Sequence, residues 1–222
     1  MTRFFDILFS FFAIVILFPF MIPIMIGLKL TGEHDIFYGQ TRIGKGNKPF
    51  KVLKFATMLR NSPNMAGGLI TADHDPRILP MGNFLRKTKI NELPQLINIF
   101  IGQMSVIGYR PFVPKHFALY NEEVQNTMAR TVPGLSGIGS VVFRDEEDIL
   151  HKVDNPEYFH DKVITPYKGQ LECWYVEHKT LGNYFKLILA TVIAVLKPKS
   201  SVWQKWFKGL PPVPEELKPW IC

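Results

Sequence analysis

Residues 85–111 of this 222-residue chain combine cations, a carboxylate and a predicted helix start, which together suit chemistry on an anion. The polar pair Asn91-Glu92 precedes an apolar run, and a glycine-rich turn after that run ends in Arg110-Pro111. Backbone N–H groups at a helix N-terminus favour an anion, and a carboxylate beside them indicates a bound metal or covalent chemistry on that anion. At position 91, where a second carboxylate would serve, there is an amide. The basic residues before the pair are Arg86, Lys87 and Lys89.

Further cations lie in short segments rich in glycine, proline or strand-forming residues. Arginine at such points is suited to binding phosphate through paired donors. Taken singly, each of these residues is more often a surface ion-pair residue, and their recurrence beside turns favours phosphate binding only moderately. Glu92 also has two interpretations: a first-turn acid that favours the helix dipole, or a ligand for a metal that bridges phosphates. The candidate phosphate-binding cations are Arg42, Lys54, Arg86, Arg110 and Arg144.

The charge balance of the chain favours an anionic partner. Lys and Arg number 26 and Asp and Glu 19, giving a net charge of +7, which suits phosphates, nucleic acid or a lipid surface. The apolar N-terminus makes a membrane role more economical than nucleic-acid binding. The sequence has no Walker loop or GxGxxG motif, and its histidines lack metal-ligand spacing. Two distant cysteines, Cys173 and Cys222, form no disulfide framework, which suits a reducing compartment.

The N-terminal run Ile7–Leu28 contains no charged residue, and about 20 apolar residues suffice to span a bilayer as a helix. Pro19 and Pro23 lie in its second half, where each removes a backbone donor and bends the helix. Basic residues at both ends favour keeping both ends on the cytoplasmic side. We therefore expect a re-entrant helix, bent at Pro19, that enters one leaflet and returns. A spanning helix is the alternative.

Hydrophobic periodicity predicts the elements around these residues. Ile36–Tyr38 and Phe50–Phe55 are typical of short strands, and Asn61–Gly68 of a loop. Leu187–Leu196 suits a core or an interfacial helix. The basic, aromatic tail from Trp203 suits lipid headgroups or packed aromatics. Further helices are predicted at Leu93–Ile101 with Asn91 as N-cap, at Pro114–Arg130, at Asp145–His151 and at Pro156–His178.

An ordered series of motifs resembles one known family, the bacterial sugar transferases, which are monotopic polyprenyl-phosphate phosphoglycosyl transferases. The resemblance runs from Phe5 to about Lys197. Its members are Phe5-Asp6 with Pro19 at the bend, QTRIG at 40–44, KFATM at 54–58, DPR at 75–77, Leu85-Arg86, ELPQL at 92–96, GQMSVIGYRP at 102–111, PGLSG at 133–137 and Arg144. The ordered set is highly specific, although no single member is.

The resemblance implies an α+β, mostly helical fold. It has an N-terminal re-entrant membrane helix (residues 1–29), a small cytoplasmic α/β catalytic domain with interfacial amphipathic helices (30–200) and a basic, aromatic tail (201–222). The implied location is the bacterial inner membrane, with the catalytic domain facing the cytoplasm.

The implied activity is transfer of a phosphosugar from a UDP-sugar to polyprenyl (undecaprenyl) phosphate, with release of UMP, as the first membrane step of glycan assembly. In the family an Asp-Glu pair acts at the membrane surface, where the Asp attacks the β-phosphate and Mg²⁺ is held partly by the Glu. A homodimer is left open. Carried onto this chain, the roles are catalytic for Asn91 and Glu92, metal binding for Glu92, and substrate or phosphate binding for Lys54, Arg86, Arg110, Pro111, Arg144 and Arg42.

The chain departs from the family pattern at Asn91, Gln103, Ala56 and Phe18, where the family has Asp, Asp, Arg and Ser. Asn91 matters most, because a carboxamide is a poor nucleophile. Glu92 could replace the Asp as nucleophile, or Asn91 could position groups while polyprenyl phosphate attacks directly. The chain could instead be a catalytically inactive membrane-bound relative that binds or scaffolds other enzymes, or the amide could be an engineered substitution. A working transferase is favoured because Glu92 and the cations remain.

Overall fold

The computed structural model describes residues 1–65, 75–197 and 200–221. Residues 66–68 of the predicted loop Asn61–Gly68 lie outside the described residues. The helices are α1 Thr2–Leu30, α2 Gly82–Lys87, α3 Gln95–Ile101, α4 Pro114–Phe117, α5 Glu122–Met128, α6 Ile138–Val142, α7 Glu146–Leu150, α8 Pro156–Phe159, α9 Thr165–Glu177, α10 Leu181–Leu196, α11 Val202–Trp206 and α12 Lys218–Ile221. The strands are β1 Phe37–Ile43, β2 Pro49–Phe55, β3 Ser105–Ile107 and β4 Gly134–Ser136.

The chain divides into two compact units. The smaller unit comprises residues 7–41 and 51–101, and the larger unit comprises residues 1–6, 42–50 and 102–222. Helices dominate the described residues, and the strands form two small sheets of two strands each. The mostly helical expectation with a small sheet component is therefore confirmed.

Helix α1 is long and apolar enough to cross a membrane by length and composition. Its 29 residues correspond to about 44 Å, against a hydrocarbon core about 30 Å thick. Both predicted bend residues, Pro19 and Pro23, lie inside the helix. On α1, Met21 and Leu28 pack with Phe55 and Leu85 in a buried cluster, so this stretch of α1 is held by the smaller unit's own core.

An amide on α3 completes the hydrogen bonding of strand β2. Asn98 is almost fully buried, its Oδ1 accepts from the Leu53 N–H at 2.9 Å and its Nδ2 donates to the Lys51 carbonyl at 2.8 Å. The side chain thus takes the place of a neighbouring strand. It holds the backbone on either side of Val52, just before Lys54.

The DPR motif forms a buried ion pair in the smaller unit. The Arg77 guanidinium donates to Asp75 Oδ2 at 2.6 Å and to the Ser62 carbonyl at 2.9 Å. Both charged side chains are nearly inaccessible to solvent. Because the charges are paired and hydrogen-bonded, their burial is tolerated, and the motif fixes the chain on either side of the undescribed residues.

The larger unit is built on a short parallel pair of strands covered by helices. Strands β3 and β4 pair in the register Ser105 with Gly134 and Ile107 with Ser136. Helices α6, α9 and α10 surround one extended apolar core, whose largest members include Tyr167, Tyr175 and Tyr184. The tail contributes Trp203 and Phe207 to the same core, which supports the packed interpretation of its aromatics.

Helix α10 carries two apolar faces. Leu187, Ala190 and Ala194 are buried, whereas Leu189 and Val192 are at least half exposed. The first face supports the predicted core role.

The single helix predicted at Pro114–Arg130 is wrong. Helix α4 ends at Phe117 and α5 starts at Glu122. Asn121 takes an extended conformation and its side chain accepts a hydrogen bond from the Val124 N–H. This N-cap begins a new helix, which a periodicity argument does not detect.

Asn91 is not the N-cap of α3, contrary to the prediction. Helix α3 starts at Gln95, and Asn91 lies inside a 3-10 turn, Ile90–Glu92. The reason is Lys89, which adopts the left-handed region with φ of 59° directly after α2 and its cap residue. This left-handed ending is usually made by glycine, and it directs the chain into the tight turn.

Candidate active site

The central contact of the smaller unit joins the two motifs that the sequence singled out. Lys54 on β2 donates from Nζ to Glu92 Oε1 at 3.2 Å. The Lys54 side chain is 18% exposed and that of Glu92 is 26% exposed. The carboxylate is therefore held by a cation and still reachable by a solute.

Asn91, beside this ion pair, is 7% exposed. Its Oδ1 is buried and has no hydrogen-bond partner, which is costly unless something else satisfies it. The turn that carries it follows the left-handed Lys89, and a non-glycine residue in that region is strained by about 1–2 kcal/mol. Strain and an orphaned polar atom next to a paired carboxylate are features typical of functional sites.

Arg86 on α2 is half-buried and its Nη1 lies 3.4 Å from the Met58 sulfur. This contact links the KFATM segment to the helix before the Asn91-Glu92 turn. Within the smaller unit, then, the structure ties Lys54 to Glu92 by an ion pair and Arg86 to the segment that carries Lys54. Ala56, which replaces the family's arginine, is buried.

In the larger unit the structure connects two more predicted residues. Arg42 donates from Nη1 to the Pro111 carbonyl at 2.9 Å, and the next residue, Ile43, donates its N–H to the Phe112 carbonyl at 2.9 Å. These contacts hold the turn that carries Arg110. Both Arg110 and Arg144 are exposed, so their guanidinium groups are available to an anion.

Sequence reasoning missed a polar cluster in the larger unit. The rings of His116 and His160 lie 5.5 Å apart, and His160 Nδ1 contacts Asp161 at 2.6 Å. Burial, then His160, then Arg42 lower the pKa of His116. His160 also begins a π-helical turn, His160–Ile164. Such turns are rare in proteins, and those that occur often lie at functional sites. Histidine spacing gave no signal for this cluster, because the two rings come from segments far apart in the chain.

The donor set around Asn91 and Glu92 fits a magnesium ion. No group of three or more His, Cys, Asp or Glu suited to a metal occurs among the described residues. Mg²⁺ needs no such group, because it is usually held by one or two carboxylates together with waters and substrate phosphates. The accessible Glu92 carboxylate is a ligand of that kind, and the orphaned Asn91 Oδ1 belongs to the adjacent residue.

The sequence model of one family, the bacterial sugar transferases, matches residues 1–198. The chain belongs to this family. The match covers the segments that carry all of the predicted site residues, in both units.

Several known proteins resemble the chain at about one-third identity. The exopolysaccharide production protein ExoY of Sinorhizobium fredii is 34% identical over 183 residues, which is 73% of this chain and 80% of ExoY. The undecaprenyl-phosphate galactose phosphotransferase of Salmonella typhimurium is 31% identical over 211 residues, covering 89% of this chain and 40% of that protein. The UDP-glucose:undecaprenyl-phosphate glucose-1-phosphate transferase of Escherichia coli is 33% identical, covering 72% of this chain and 35% of that protein. The chain thus spans well under half the length of the last two relatives.

Proposed function

We propose that this sugar transferase moves a phosphosugar from a UDP-sugar to a polyprenyl phosphate at the bacterial inner membrane, and releases UMP. The observation that carries the proposal is the Lys54–Glu92 ion pair beside the orphaned amide of Asn91. It provides a reachable carboxylate, a cation and a free oxygen donor on the family's own motifs. The names of the Salmonella and Escherichia coli relatives include undecaprenyl phosphate, which is a polyprenyl phosphate and supports the proposed acceptor.

Glu92 acts as the nucleophile in this proposal, because it is the carboxylate of the pair and is more exposed than Asn91. One of its oxygens attacks the β-phosphorus, a P–O bond forms, and the bond to the α-phosphate breaks with its electron pair leaving on UMP. A phosphate oxygen of the polyprenyl phosphate then attacks the same phosphorus and the Glu92–phosphorus bond breaks. Splitting the transfer into two displacements lowers each barrier.

The cations stabilise the charge that develops during these steps. Lys54, already 3.2 Å from Glu92, orients the carboxylate. Arg86, Arg110 and Arg144 are each proposed as phosphate-binding residues with paired donors, while Arg42 holds the Pro111 turn. Asn91 and Glu92 are the residues that would hold Mg²⁺, which when bound neutralises diphosphate charge.

Helix α1 is re-entrant in this proposal, so that both of its ends and the catalytic residues face the cytoplasm. The support is its basic flanks, Arg3 and Lys29, and the two internal prolines. To test it, Thr2→Cys is introduced with Cys173 and Cys222 replaced by serine, and intact spheroplasts are treated with a membrane-impermeant maleimide. We expect no labelling until the membrane is permeabilised. Labelling of intact spheroplasts would show a spanning helix with its N-terminus outside.

The transfer is tested by UMP release from purified protein, polyprenyl phosphate, Mg²⁺ and a panel of UDP-sugars. We expect UMP release with at least one sugar, with sustained turnover only when the lipid phosphate is present. The orphaned amide of Asn91 favours one second candidate, a non-catalytic module that binds lipid phosphate or a partner enzyme. No release from the native sequence, with release from Asn91→Asp, would establish that candidate and refute the transferase.

A further inference from the structure

Glu172 is a buried carboxyl group that the proposed chemistry does not use. It lies on α9, is inaccessible to solvent, and neither of its oxygens has a hydrogen-bond partner. Burial raises the pKa of Glu172 to about 8, while Lys168 and Arg110 oppose that rise. Such a group is costly to keep in a core, so its surroundings are informative.

The carboxyl lies against bare backbone. A Cβ placed on Gly139 would lie 2.5 Å from Glu172 Oε1. A Cβ on Gly137 would lie 2.1 Å from the Gly108 carbonyl oxygen and 3.4 Å from Glu172 Oε2. Gly137 is required because a side chain there would collide with the Gly108 carbonyl, and the missing side chain at Gly139 leaves the room that the Glu172 carboxyl occupies.

That turn carries Arg110. The Gly108 N–H donates to the Ser136 carbonyl at 2.9 Å, and the Tyr109 carbonyl accepts from the Gly134 N–H at 2.8 Å, so the strand β4 holds one side of it. The Arg110 backbone amide and its guanidinium both oppose the rise that burial causes in the pKa of Glu172. Neither group lies within hydrogen-bond geometry of the carboxyl oxygens.

Lys168, the second cation that affects Glu172, already has another partner. Lys168, one turn before Glu172 on α9, donates from Nζ to Glu146 at 2.5 Å and lies over the Phe143 ring. The Tyr109 hydroxyl is also buried without a partner, and Glu172 raises its pKa further after burial has done so. The carboxyl thus lies beside Gly137, which packs closely on the Gly108 carbonyl of this turn, and among the described residues it forms no ion pair.

We propose that Glu172 is a positioning residue for Arg110: its buried carboxyl sets the main-chain path of the Gly108–Pro111 turn and hence the place of the Arg110 guanidinium. The part of the proposal that concerns ligand binding rests on the proposed function, in which Arg110 binds the diphosphate. The anchoring of the turn does not rest on it.

The experiment measures two quantities on the full-length protein in detergent. Hydrogen exchange of a peptide covering residues 107–112 reports the anchoring, and the Kd of UDP, by calorimetry, reports the position of Arg110. The variants are Glu172→Leu, Glu172→Gln, Arg110→Ala and the double variant Glu172→Leu/Arg110→Ala. Glu177→Leu is the matched control, because Glu177 is exposed on the same helix.

Glu172→Leu should accelerate exchange in this peptide and weaken UDP binding about tenfold, because the displaced turn moves the Arg110 guanidinium away from the phosphates, and tenfold corresponds to about 1.4 kcal/mol. Arg110→Ala should weaken UDP binding to a similar extent, and the double variant no further, because Glu172 affects binding only through the place of Arg110. Glu172→Gln, which keeps shape and polarity, should rescue binding to within about threefold of native, a change of well under 1 kcal/mol. Glu177→Leu should change neither quantity.

Additive losses in the double variant, or unchanged exchange in Glu172→Leu, would overturn the proposal. If the leucine variant does not fold, Glu172→Asp serves instead, because it withdraws the carboxyl from Gly139 by one methylene, and unchanged exchange there is equally decisive. A native chain that does not bind UDP would refute the proposed function instead, and the exchange measurement would still decide the anchoring.

Discussion

Replacing Glu92 with glutamine should reduce UMP release at least 10³-fold, the scale expected when a nucleophile or a charge-stabilising group is removed. Glu92→Gln keeps the size of the side chain and a hydrogen-bond acceptor for Lys54, which lies 3.2 Å away. It removes the negative charge and the nucleophilic oxygen. The measurement is the initial rate of UMP release with saturating UDP-sugar and polyprenyl phosphate.

Two comparisons separate loss of chemistry from loss of fold. Glu92 is 26% exposed, so its neutral replacement should leave the thermal unfolding midpoint close to native. Glu123→Gln, at an exposed position on α5, should keep full activity. A Glu92→Gln protein that retained more than about a tenth of native activity, a loss below 1.4 kcal/mol in the barrier, would show that Glu92 is not the reacting group.

Replacing Asp6 with alanine should have the largest effect on stability, about 3–5 kcal/mol. Asp6 is 2% exposed and lies in the first turns of α1. Its carboxylate accepts from the Ser105 hydroxyl at 2.9 Å, the Val106 N–H at 2.8 Å and the Tyr184 hydroxyl at 2.9 Å. Alanine would leave these buried donors unsatisfied, and each would keep its desolvation cost.

For a chain of this size the loss corresponds to a fall of roughly 10 °C in Tm, measured by thermal unfolding of the full-length protein in detergent. The Tm of Asp6→Asn should lie between those of the native protein and Asp6→Ala. The single amide oxygen accepts fewer of these hydrogen bonds, and the NH₂ group would face hydrogen-bond donors. Asp154→Ala, at an exposed position, is the control and should leave Tm unchanged. A Tm of Asp6→Ala within about 2 °C of native would show that this hydrogen-bond set does not anchor the first turns of α1.

Part of this architecture could be predicted from local sequence alone. The uncharged run predicted α1, the segment Phe50–Phe55 predicted most of β2, and the apolar run Leu187–Leu196 predicted the later part of α10, whereas Ile36–Tyr38 predicted only the start of β1. Lys54 and Glu92, which the structure pairs, were both predicted as site residues because both lie in motifs of one family. Such elements are predictable because hydrophobic periodicity and motif order are local properties.

Other features depend on tertiary contacts that no local pattern shows. Lys89 takes a left-handed conformation that usually belongs to glycine, so the Asn91 turn could not be distinguished from a helix start. Glu172 lies in a helix of low amphipathicity, where an acidic residue normally indicates a solvated face. Its burial arises because bare glycine backbone, Gly137 and Gly139, packs on it from another part of the chain.

Transfer of phosphorus from donor to lipid through Glu92 distinguishes an active transferase from an inactive relative. The native protein would be incubated with UDP-sugar labelled at the β-phosphorus, first alone and then with polyprenyl phosphate. We expect label on the protein in the first stage, absent from Glu92→Gln, and its movement to the lipid fraction in the second. A lipid fraction free of label for the native sequence with every UDP-sugar, while Asn91→Asp labels the lipid, would show that the native chain is not a transferase.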